Sequence, residues 1–134
     1  MSEEAKVLFA NEAFYLAFSA GDESAMDALW ARAAPVCCVH PGWRPLSGRD
    51  EVMASWRGIL GSGPPGYIRS RGSKVYLHGE MAVVTCYEQV DENLLAATNL
   101  FVREQGEWRL CHHHAGACHD SGVELPPEPE ASVQ

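Results

Sequence analysis

The stretch over residues 97–114, ATNLFVREQGEWRLCHHH, constrains the fold of this chain more than any other. Two runs rich in β-branched, aromatic and apolar residues flank Glu104-Gln105-Gly106, a pattern that signals a β-hairpin. A three-residue loop with Gly106 in the left-handed conformation would add a G1 bulge. That register pairs Arg103 with Glu107 at the turn, and sets Val102 with Trp108, Leu100 with Leu110 and Thr98 with His112 on one face. Phe101 with Arg109, Asn99 with Cys111, and Ala97 with His113 then share the other face. A two-residue Gln105-Gly106 turn pairs Val102 with Arg109 and mixes the apolar face, so the bulged register is the expectation.

Upstream of the hairpin the chain reads as helices first and strands afterwards. Val7, Ala10, Phe14, Ala17 and Phe18 recur at helical spacing over residues 4–20, Leu8, Tyr15 and Leu16 widen the stripe, and Gly21 is a natural stop. Asp22 is placed to cap a second helix through about residue 33, with Met26, Leu29 and Trp30 turned inward. Residues 36–40 read as a short buried strand ended by Pro41-Gly42. Ser47 with Asp50 three residues on predicts a capping box for a third helix whose stripe is Val52, Met53, Trp56, Ile59 and Leu60. After the loop GSGPPG at 61–66 come strands over 67–78, 81–91, 94–104 and 107–115, joined by turns at Gly79-Glu80, Glu92-Asn93 and Gln105-Gly106. This predicts an α+β domain with helices on one face of a curved antiparallel sheet. In the strand from 81, both alternating side-chain sets are apolar enough to be covered, one by helices and the other by a second subunit. A homodimer through the outer sheet face is therefore expected.

With 134 residues, 46% apolar and 21% charged, one domain over 1–120 is predicted, followed by a mobile Pro- and Glu-rich tail over 121–134. A net charge of -8 argues against nucleic-acid binding, which needs a concentrated basic surface. Neither a signal peptide nor a run of membrane-spanning length is visible, so no membrane association and a cytoplasmic location are expected. The five Cys show no CxxC spacing, and they read as small buried apolar residues rather than a disulfide framework.

Ser19-Ala20-Gly21-Asp22 with Ala28-Leu29-Trp30, and the closing run from Gln105 to His114, resemble motifs of the nuclear transport factor 2-like superfamily. This superfamily includes SnoaL-like cyclases, ketosteroid isomerase and the association domain of calcium/calmodulin-dependent kinase II. The resemblance spans residues 5–116 and implies a cone-shaped fold enclosing a pocket. It implies that Asn99, Phe101, Cys111 and His113 line the pocket, and that Trp108, Leu110, His112 and His114 face a partner subunit. Ketosteroid isomerase places a carboxylate base directly before a Pro at the end of the first strand, where this chain has His40-Pro41. Its helical Tyr donor matches best to Phe14, with Tyr15 one residue out of phase, and its second pocket acid matches best to Asn99. The resemblance thus implies a polar pocket for a small hydrophobic or amphipathic molecule rather than steroid isomerase chemistry itself.

The candidate proton-handling residues are His40, Glu88 and His113. An imidazole exchanges protons near neutral pH, and Glu88 is an acid within an apolar alternating set. The alternatives are a strand-end His bound for structure and a solvent-exposed Glu. Trp43, Trp56, Cys86, Asn99, Phe101 and Cys111 are candidate ligand-binding residues. With these, isomerase or lyase chemistry by proton transfer is one reading and a non-catalytic association module the other. No organic cofactor is expected. Nor is a metal: adjacent His residues in a strand point to opposite faces, and the His112-His113-His114 spacing matches no strong zinc pattern.

Overall fold

The computed structural model describes residues 1–63 and 66–119. Pro64 and Pro65, residue 120 and the tail expected over 121–134 lie outside the described residues. The elements are α1 (Glu3–Ala20), α2 (Glu23–Leu29), β1 (Cys37–Val39), β2 (Leu46–Ser47), α3 (Arg49–Gly61), β3 (Ile68–His78), β4 (Met81–Val90), β5 (Asn93–Glu104) and β6 (Glu107–Ala117). They form an α+β domain in which helices cover one face of a sheet of order β2-β1-β6-β5-β4-β3. The expected meander is β3 to β6. Absent from the sequence reading are β2 and the parallel pairing of β1 with β6.

The helix ends follow from local chemistry. Ser2 accepts from the Ala5 N–H, and Gly21 takes φ 66 to end α1, where its N–H reaches back to the last carbonyls. Asp22 accepts from the Ala25 N–H to start α2. α2 stops at Leu29, four residues earlier than expected, because Trp30 bridges Leu110 of β6 instead of continuing the helix. Arg49 holds that exit: Nη1 donates to the Trp30 and Ala31 carbonyls and Nη2 to that of Asp27. The expected capping box shifts by one residue. Gly48 is the N-cap of α3, without a side-chain bond, while the Ser47 N–H donates to Glu51.

The hairpin register corrects the sequence expectation. Gln105 and Gly106 form a two-residue turn with φ 52 and 79, and Arg103 pairs with Trp108 and Val102 with Arg109. The irregularity sits instead beyond Leu100 and Phe101: Phe101 pairs with Leu110 but Leu100 with His112, which leaves Cys111 as the extra residue. A bulge re-aims the side chains that follow it. On β6, Trp108 and Leu110 before it and His113 and Ala115 after it therefore all turn toward the helices. Trp108 and Leu110 do not face outward toward a partner. Leu110 is fully buried, and Trp108 Nε1 donates to Glu3 of α1. The turn after β4 is likewise one residue earlier than expected, with Val90 paired to Asn93 and Asp91 at φ 54.

The core lies between the helices and the inner sheet face, around Phe14, Met26, Trp30, Val52, Trp56, Val84, Phe101 and Leu110. Burial of each such large side chain contributes about 2 kcal/mol. Among the described residues no helix is long and apolar enough to cross a membrane.

Candidate functional site

The inner sheet face carries a row of polar side chains that the core apolar residues surround. On β4 the inward set is Ala82, Val84, Cys86 and Glu88. Glu88 pairs with Leu95 of β5 and Ser70 of β3, while Asn99 of β5 pairs with His113 of β6. Directly opposed residues share a face, so the register alone sets Glu88, Asn99 and His113 inside. All three are buried, and Glu88 is 2% exposed.

These groups form one hydrogen-bonded network. The Tyr15 phenol donates to Glu88 Oε2 at 2.7 Å and lies 3.4 Å from Cys86 Sγ. Asn99 Nδ2 donates to Asn11 Oδ1 at 2.9 Å and to Tyr15 Oη at 3.2 Å. His113 Nδ1 is 2.5 Å from Asn99 Oδ1, an oxygen that can only accept, so Nδ1 carries the proton. That leaves Nε2 bare, 3.7 Å from Glu88 Oε2.

The electrostatics follow from burial, which disfavours the charged form of each group. Burial pushes Glu88 up to about 7, although the Tyr15 donor pulls it back. Burial lowers His113 to about 3, with smaller contributions from His40, His112 and His114. Burial also lowers His40 to about 4 and pushes Tyr15 well above its ordinary 10. At neutral pH both imidazoles are neutral, and Glu88 is divided between acid and carboxylate.

A cavity of about 290 Å³ opens onto this network, lined by Phe18, His40, Pro41, Trp43, Ile59, Ile68, Glu88, Val90, Leu95 and His113. Four of the residues singled out from sequence thus meet at one wall: His40, Trp43, Glu88 and His113. His40 stands at the end of β1, where its Nε2 is 2.9 Å from Ser55 Oγ. Ser55 spends its own proton on the Val52 carbonyl, so His40 Nε2 donates and Nδ1, 3.9 Å from Cys38 Sγ, is the accepting nitrogen. Trp43, 48% exposed, meets His40 edge to face with ring centroids 4.8 Å apart.

The other candidates sit behind the wall. Trp56 contacts His40 and Phe18 edge to face, but it lines a separate space of about 250 Å³ between α2 and α3. Asn99 and Cys86 support Tyr15, and Phe101 belongs to the core. Cys111 lies at the bulge, its thiol pushed up to about 11 by burial first and then by Cys37 and Glu104. Sequence reasoning missed Tyr15 as a site residue. Its phenol reaches the sheet, whereas Phe14, the position matched from the resemblance, presents its ring to His113 at 4.9 Å. Asn11 and Ser55 were missed as well. Among the described residues no group of three or more His, Cys, Asp or Glu forms a metal cage.

Comparisons with known proteins agree with this architecture. A structure of a candidate dehydratase of the NTF2-like family from Streptomyces avermitilis is 35% identical, with a TM-score of 0.77 over 88% of this chain and 97% of that one. A candidate calcium/calmodulin-dependent protein kinase type II association domain from Thiobacillus denitrificans is 31% identical, with a TM-score of 0.67 over 82% of this chain and 93% of that one. F-box protein SKIP8 of Arabidopsis thaliana is 31% identical over 94 residues, and this chain spans 40% of its length. The profile of the SnoaL-like domain matches residues 7–118, from the first turns of α1 through the whole of β6 with its bulge and inward His113. On that match the chain belongs to the SnoaL-like family, with the nuclear transport factor 2-like fold.

Proposed function

We propose that this protein binds a small, neutral, largely apolar carbonyl compound and moves a proton on it, as an isomerase or a lyase. The observation that carries this reading is Glu88: a buried carboxyl at a cavity wall, poised near 7, between the Tyr15 phenol and the bare nitrogen of His113. A group with its pKa at the working pH both takes and returns protons. As a carboxylate, Glu88 removes a proton from the carbon next to the carbonyl. As the acid, it returns that proton to another carbon in an isomerisation or to a leaving hydroxyl in a dehydration.

His113 and His40 then serve as neutral partners rather than strong bases, since burial holds both below their ordinary range. His40 Nδ1 is available to accept from a substrate hydroxyl. Asn99 acts through Tyr15 and His113, because its amide is committed to protein partners. The apolar wall of Phe18, Ile59, Ile68, Val90 and Leu95 suits a hydrophobic or amphipathic ligand. Similarity to a candidate dehydratase supports the lyase version.

Incorporation of solvent deuterium next to the carbonyl of small cyclic ketones tests the reading. Exchange is expected with the unmodified protein and a loss of roughly a hundredfold in Glu88→Gln, with ketone binding retained. Equal exchange by the two proteins would overturn it.

A non-catalytic association role is the second reading, favoured by the similarity to a candidate association domain. Its surface is the outer sheet face, where a groove of about 510 Å³ includes Lys74, Tyr76, Tyr87, Thr98 and His114. A second copy of this chain is the proposed occupant. Light scattering on Tyr76→Glu should then give half the mass of the unmodified protein.

A further inference from the structure

β1 is held between β2 and β6, and its parallel register sets Cys37 beside His112. Cys38 turns inward and is fully buried, whereas Cys37 stands exposed on the opposite side of the strand. Its thiol is 3.0 Å from His112 Nδ1. The ring of His114 lies edge to face with that of His112, at 6.2 Å. Both members of the Cys37–His112 pair are fixed by strand hydrogen bonding, so their approach does not depend on a loop. The proton-handling network on the inner face uses neither.

A thiol reacts as its thiolate, and an imidazole at hydrogen-bond distance that accepts the proton is the arrangement that produces one. The other cysteines are poorly placed for this. Burial pushes Cys38 up to about 12 and Cys111 up to about 11, and Cys86 is buried beneath Tyr15. Cys118 is partly exposed and serves as an internal reference. The outer groove offered to a second copy is lined by β3 to β6 and does not include Cys37.

We propose that Cys37, with His112 as its base, is a covalent modification site for soft electrophiles of the α,β-unsaturated carbonyl class. His112 takes the thiol proton, and Cys37 Sγ forms a C–S bond to the β carbon. The π pair of the carbon–carbon double bond moves toward the carbonyl as an enolate, which regains the proton from His112 at the α carbon. The adduct contains every atom of both reactants, and no oxidant or reductant is needed. This site is independent of the proposed chemistry at Glu88.

N-ethylmaleimide, itself an α,β-unsaturated carbonyl compound, is the probe, applied briefly to the full chain and read by mass-spectrometric peptide mapping. Cys37 should label roughly tenfold or more faster than Cys118, with Cys38, Cys86 and Cys111 protected. In His112→Gln the Cys37 rate should fall by roughly tenfold or more while the Cys118 rate holds. A Cys37 rate equal to or below that of Cys118 in the unmodified chain overturns the proposal without recourse to any variant. An unchanged Cys37 rate in His112→Gln overturns the role of the imidazole. Unfolding of that variant would show as labelling of the three buried cysteines, in which case the comparison within the unmodified chain decides.

Discussion

The phenol of Tyr15 donates to Oε2 of Glu88 across 2.7 Å, and the two side chains are only 1% and 2% exposed. A donor to a carboxylate favours its charged form, while burial favours the neutral acid. Burial prevails here, and Glu88 rests near 7 rather than at its ordinary 4.5. Tyr15 thus keeps the buried acid from rising further, within the range where it can both accept and donate.

Tyr15→Phe should therefore raise the Glu88 pKa above about 7, by roughly one unit for the loss of one donor. Carbon-13 NMR of labelled glutamate carboxyls, followed through a pH titration, reads this directly. A pKa that stays in place or falls would mean that the phenol does not hold the carboxylate.

The same shifts set the dependence of stability on pH. His40 and His113 are depressed from 6.5 to about 4 and about 3, so the unfolded chain binds more protons than the fold below 6.5. Their contribution is fully present above 6.5 and is lost as the pH falls through 4 and 3. Glu88 runs the other way: its contribution is present below 4.5 and lost as the pH rises through 7. Between 4.5 and 6.5 two imidazoles oppose one carboxyl, so urea unfolding should show stability rising from pH 4 to 6.5 and falling slightly toward 8. Glu88→Gln should abolish the decline and gain about 3 kcal/mol on the unmodified protein between pH 4 and pH 8. A flat profile across that range would contradict buried, neutral imidazoles.

Glu88 was legible in the sequence because it is the acid in an alternating set, and a sheet face needs only a period of two to be read. Gly21 and Asp22 were legible because left-handed conformation and capping are local. Tyr15 was not. α1 is apolar at Leu8, Phe9 and Leu16 as well as at its buried positions, so periodicity could not say which aromatic residue points at the sheet. The bulge at Cys111 was hidden for a different reason. Trp108 and Leu110 follow one phase, His113 and Ala115 the other, and a count carried through without the extra residue places one pair outward. The parallel pairing of Cys37 with His112 joins segments 75 residues apart and leaves no local signal.

Asn99 ties the network together, donating to Asn11 and Tyr15 and accepting from His113. Asn99→Leu has similar volume but leaves Asn11 Oδ1 and His113 Nδ1 unpaired at buried positions. Such orphaned groups each cost about 1–3 kcal/mol, so chemical denaturation should show a loss of roughly 2–6 kcal/mol. A loss below about 0.5 kcal/mol would place the change with ordinary surface substitutions and discount the network.

The hairpin turn gives a prediction of the opposite sign. Gln105 holds φ 52 and Gly106 φ 79, the left-handed pair that a type I′ turn requires. Glycine adopts this conformation freely, whereas a glutamine side chain costs about 1 kcal/mol there and asparagine less. Gln105→Asn should therefore stabilise the protein by a few tenths to about 1 kcal/mol. Gly106→Ala meets nothing within 4 Å, so backbone strain alone should decide its effect, a loss of about 1 kcal/mol. Thermal denaturation of the two variants checks the turn type. In the three-residue loop expected from sequence, Gly106 alone is left-handed, so Gly106→Ala would destabilise while Gln105→Asn would bring no gain. A gain at residue 105 together with a loss at residue 106 thus selects the two-residue turn, and with it the bulge at Cys111 that turns His113 toward Glu88.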